Sequence, residues 1–159
     1  MKRLMLVIGI LLITLPIYAQ KPVWSLEVEA CELNLVGKAF YDTQNPYHRI
    51  DTCRFKGFTK SENMQCRCAA GLAVLFTTDA SDIGVKMDFD HASGAAYCSY
   101  RGFDLYIKKD GQWLWAGMTS FPTEHKDKDA VRALVKNMAE GEKECLLYLP
   151  LFDVVDSLE

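Results

Sequence analysis

The sequence predicts an all-β fold, a sandwich or barrel in a single domain. Three observations carry that prediction. Ile83, Val85, Met87 and Phe89 alternate with Gly84, Lys86, Asp88 and Asp90, so one face of that strand is apolar and the other wet. Phe103, Leu105 and Ile107 alternate in the same way with Asp104, Tyr106 and Lys108, and Lys109-Asp110-Gly111-Gln112 then leads into Trp113-Leu114-Trp115. Asp-Gly between two such runs signals a hairpin, because a type I′ turn needs positive φ at both central residues. Third, short β-prone runs recur at close spacing, with no Pro/Gly/Ser linker, repeat or low-complexity tract.

The remaining segments follow in chain order. Lys2 and Arg3 precede an uncharged apolar run, Leu4 to Leu15, which Pro16 breaks. The run suits a signal-peptide core and is short for a membrane span. Cleavage after Ala19 is expected, giving a leader over 1–19, a domain over 22–159 and no membrane anchor after processing. Such a chain would be exported, periplasmic or extracellular. Cys66 to Phe76 is apolar on both faces from Ala69 onward, which suits a central strand. Val131, Leu134, Val135 and Met138 fall at helical spacing after Asp129, but the all-β surroundings favour a strand over Leu134–Met138. Glu144 to Leu149 is a further β-prone run. Helix is expected only in short turns.

Composition narrows the function. With 50% hydrophobic residues the chain can build a core, which excludes disorder as its main state. A net charge of −3 gives no basic footprint, so nucleic acid is not an expected partner. The six cysteines are Cys31, Cys53, Cys66, Cys68, Cys98 and Cys145. They allow 15 pairings. Buried free thiols or an occasional disulfide are the plainer reading. Cys66-Arg67-Cys68 lacks a partner pair at ligand spacing, and His48, His91 and His125 are scattered, so no metal site or other cofactor is expected.

One motif carries more. Gly102-Phe103-Asp104-Leu105-Tyr106 contains Gly-x-Asp-Leu-Tyr. Phe103 and Leu105 would face the core, and Asp104 and Tyr106 the opposite face. With it stand, in order, Tyr47-His48-Arg49-Ile50-Asp51, Ala70-Gly71-Leu72-Ala73-Val74, Ile107-Lys108-Lys109-Asp110-Gly111 and Glu144-Cys145-Leu146-Leu147-Tyr148-Leu149-Pro150-Leu151. Together these blocks resemble the N-terminal domain of bacterial SGNH (GDSL-type) esterases over roughly Trp24 to Glu159. The resemblance implies a jelly-roll-like β-sandwich, joined in family members to an α/β domain that carries the esterase chemistry. It also implies a structural or interdomain role for Gly102 to Tyr106.

Acyl transfer needs a nucleophile, a base and oxyanion donors together. The sequence has no Gly-Asp-Ser, no Gly-x-Ser-x-Gly and no late Asp-x-x-His. The expected function is therefore a non-catalytic accessory domain of a carbohydrate esterase, split or truncated from its catalytic domain, with that SGNH domain as partner in cis or trans. The alternative is a stand-alone carbohydrate-binding module, since Trp113 and Trp115 project to one face of one strand and could stack on sugar. A third reading, an enzyme built on Asp88, Asp90 and His91, rests on a cluster more typical of a solvated strand end. Against an absent second domain, Tyr106, Trp115 and Val154-Val155 are expected to lie uncovered.

Overall fold

The computed structural model describes residues 24–91, 102–121 and 129–159. Its strands are β1 (Asn34–Val36), β2 (Ala73–Thr78), β3 (Ile83–Val85), β4 (Met87–His91), β5 (Gly102–Lys109), β6 (Gln112–Ser120), β7 (Arg132–Val135), β8 (Lys143–Tyr148) and β9 (Asp153–Leu158). One α-helix, α1 (Lys60–Arg67), precedes β2. A five-stranded antiparallel sheet runs β1-β2-β8-β5-β6, and two-stranded pairs β3-β7 and β4-β9 form the second layer. This is the all-β sandwich that the alternating runs predict. The core lies between the layers: Val74, Leu147, Phe103 and Leu105 from the large sheet meet Val85, Met87, Val155 and Leu158. No helix among the described residues is long and apolar enough to cross a membrane. Residues 1–19, where a leader is expected, Cys98 and His125 lie outside the described residues.

The β5–β6 hairpin forms as the Asp-Gly signal requires. Asp110 and Gly111 have φ of 52° and 79°, and Lys109 pairs with Gln112. The alternating run from Ile83 is one extended path with two partners. Its first part pairs with β7. At Lys86 it passes to β9, exchanging both backbone hydrogen bonds with Glu159 at 2.9 Å. The ambiguous segment is a strand, Arg132–Val135, shorter and earlier than Leu134–Met138.

Two expectations are corrected. Cys66 does not lie in a strand: it belongs to α1, and Cys68 is the residue that ends the helix. The helix starts at Thr59, whose hydroxyl accepts from the Glu62 amide while Glu62 accepts from the Thr59 amide, a capping box. Val154 and Val155 are not uncovered; both are 0% exposed. β9 is covered on both sides, with Val155 in the main core and Val154 packed against Cys68 and Met64.

Candidate binding face

The motif residues divide by strand parity. Gly102 opens β5 opposite Ser120. Phe103 and Leu105 are 0% exposed in the core. Phe103 stacks edge-on against Phe121, with centroids 6.2 Å apart. Asp104 and Tyr106 point to the outer face of the large sheet, as alternation dictates. Cross-strand pairing sets their neighbours there. Asp104 lies between Tyr148 and Met118, and Tyr106 between Leu146 and Trp115. Lys108 faces Trp113 and holds the Glu144 carboxylate at 2.9 Å.

A β-bulge places the tryptophans. Leu105 pairs with Gly117, but Tyr106 pairs with Trp115, so Ala116 is an extra residue on β6. An extra residue inverts the parity of the strand beyond it. Trp113 and Trp115 therefore join Tyr106 on the outer face, while Gly117 turns to the core. Gly117 has a separate reason to be glycine: a Cβ there would stand 2.3 Å from the Leu134 carbonyl oxygen of β7.

The outcome is an open aromatic surface. Trp115 is 57% exposed and Trp113 36%, with Met118 and Tyr148 also exposed beside them. The rings are held by neighbours. Trp115 Nε1–H donates to Asp104 Oδ1 at 3.0 Å. Lys108 Nζ sits 5.4 Å from the centroid of Trp113, a cation–π contact. Tyr106 and Tyr148 pack edge to face at 5.8 Å.

The Tyr47–Asp51 block does something different. Tyr47 is buried, and its hydroxyl donates to Glu29 at 2.8 Å. Burial and the Glu29 carboxylate push its ionisation upward. Arg49 donates to the carbonyls of Cys68 and Gln65 at 2.8 and 2.6 Å, closing the end of α1. Burial, then the positive charges of Arg67 and Lys38, hold His48 down at about 4. The Tyr47 hydroxyl also lies 3.3 Å from the Leu158 carbonyl, which ties this segment to β9.

Other groups stay apart. Asp90 and His91 close β4, but their side chains lie outside those described. Among the described residues no set of three His, Cys, Asp or Glu side chains is placed to hold a metal. Cys31, Cys53, Cys66, Cys68 and Cys145 are free thiols, and burial pushes Cys145 up to about 11. Sequence reading did not anticipate the apolar cavity of about 250 Å³ between the layers, lined by Trp24, Phe76, Ile83 and Leu158. Trp24 covers it by lying across Gly84, where a Cβ would meet the indole at 2.7 Å.

Fold and surface together define a β-sandwich domain with one open aromatic face, centred on a Gly-x-Asp-Leu-Tyr strand. The chain belongs to the GxDLY family, the N-terminus of SGNH hydrolase-type esterases, whose sequence model matches residues 23–159. A crystal structure of a protein described as a GDSL-like lipase, from Bacteroides ovatus ATCC 8483, is 40% identical with a TM-score of 0.72. The match covers 82% of this chain and 38% of that one, so the chain spans well under half of its solved neighbour. Comparison with curated proteins finds none that matches.

Proposed function

We propose that this chain is a non-catalytic accessory domain of an exported SGNH-type esterase that acts on acylated carbohydrate. The catalytic domain works beside it in cis or trans. The observation that carries the reading is membership of the N-terminal domain family over 23–159. Two features of the chain support it. Its sequence lacks the Gly-Asp-Ser block and late Asp-x-x-His that SGNH chemistry uses. The inward half of the family motif, Phe103 and Leu105, is sealed in the core, a structural rather than catalytic use of that strand. The charged Lys2-Arg3 followed by the apolar run Leu4 to Leu15 supports export.

The test has two arms. The purified chain is assayed on p-nitrophenyl acetate, and its effect on the unfolding temperature of an added SGNH catalytic domain is measured. No turnover and a raised unfolding temperature are expected. Turnover abolished by replacing a single serine, or no effect on the added domain, contradicts the proposal.

A further inference from the structure

We infer that the outer face of the large sheet is a binding platform for a neutral polysaccharide chain, with Trp115, Trp113 and Tyr106 as stacking surfaces and Asp104 and Lys108 as hydroxyl partners. The inference rests on the accessory reading only for its biological setting. The site itself stands on geometry.

Three features carry it. First, the rings are spaced along and across the strands. Trp113 and Trp115 are two residues apart on β6, or about 6.6 Å at the usual rise. Tyr106 is directly across from Trp115 on β5, about 4.8 Å away. That sets three aromatic side chains at neighbouring positions, with spacings on the scale of successive sugar rings. Second, the rings are held before any ligand arrives. The indole N–H of Trp115 is tied to Asp104, and Trp113 is backed by the Lys108 ammonium. Fixing a ring in the unbound state lowers the entropy lost on binding. Third, polar groups alternate with the rings instead of rimming them. Along the outer face of β5 the order is Asp104, Tyr106, Lys108, with Trp115 bonded to Asp104 and Trp113 across from Lys108, which also holds Glu144. Alternating apolar faces and hydrogen-bonding groups match a pyranose, which presents C–H faces and an equatorial belt of hydroxyls.

Charge decides between the occupants. Covering this face with a dry protein surface would desolvate Asp104 and the Lys108–Glu144 pair, a cost that their mutual attraction often fails to repay. A second copy meeting it face to face would strip water from Asp104, Lys108 and Glu144 of both copies at once. A neutral polyhydroxylated chain replaces their water with hydroxyls and adds no charge.

Native affinity electrophoresis of the purified chain tests the platform, in gels containing soluble xylan, glucomannan or mixed-linkage β-glucan. Retardation is expected in at least one. In that gel Trp115→Ala and Trp113→Ala should each weaken binding by about tenfold or more, the range of one lost aromatic contact. Trp115→Phe should retain part of it. The side chains are exposed, so unchanged circular dichroism is expected to accompany the loss. No retardation in any gel, or equal retardation of wild type and Trp115→Ala, overturns the inference. So does a Trp115→Ala chain that no longer stabilises an added SGNH catalytic domain while glycan binding is absent throughout, since the face would then be a protein contact. The accessory reading fails separately, by the wild-type chain leaving that domain's stability unchanged.

Discussion

The two faces of the five-stranded sheet are made by the same strands and do opposite work. On β5, Phe103 and Leu105 are sealed in the core while Asp104 and Tyr106, one residue away, look outward. On β6 the same contrast needs a device, because Trp113 and Trp115 would be turned inward without the extra residue Ala116. The inner face holds the layers together through buried apolar area. The outer face keeps Trp113, Trp115 and Tyr148 exposed, with Tyr106 half-buried among them, and braces the tryptophans with polar neighbours. Residues adjacent in sequence should therefore differ sharply in what their loss does.

The inner face should give the largest effect. Phe103→Ala removes a fully buried ring that meets Phe121 and should cost about 3–5 kcal/mol, read as a shifted urea midpoint. A loss under about 1 kcal/mol would mean that this face is not the core. Gly117→Val comes next. Its side chain would run into the Leu134 carbonyl, and backbone cannot yield as a flexible side chain does. A destabilisation of about 1–3 kcal/mol is expected, with β7 loosened in hydrogen exchange.

The third effect depends on pH. His48 is neutral when folded, with its ionisation lowered from 6.5 to about 4 by burial and by Arg67 and Lys38. Between those values the unfolded chain binds the proton and the folded chain does not. This group's contribution to stability is therefore complete above about pH 6.5 and is lost as pH falls towards 4. His48→Gln should flatten that part of the stability–pH curve; an unchanged slope would place the titration elsewhere. The smallest effect belongs to the outer face. Trp115→Ala should cost no more than about 0.5 kcal/mol of stability in urea unfolding, and a loss as large as that of Phe103→Ala would erase the contrast.

How much of this was legible depended on where local signals and tertiary packing agreed. The β5–β6 hairpin was readable because alternation and Asp110-Gly111 point to one register. The outward placement of Asp104 and Tyr106 followed from the same parity. The bulge was not readable. Nothing in Leu114-Trp115-Ala116-Gly117 marks an extra residue, which is fixed by pairing with β5 and by the approach of β7 to Gly117. Helix α1 was masked by its neighbours in sequence. None of its residues is fully buried, so no apolar stripe announces it, and Thr59-x-x-Glu62 was the available sign. The burial of both Val154 and Val155 was hidden because one cover, Met64 and Cys68, comes from the end of a helix at the point where the sequence suggests that a strand begins.

The most direct test of an open, ligand-ready outer face is acrylamide quenching in a Trp24→Phe chain, where Trp113 and Trp115 alone report. Strong quenching of the free chain is expected, with clear protection once a polysaccharide retained in the gels is added. Weak quenching of the free chain would show the face already covered, and quenching unchanged by the glycan would contradict the platform.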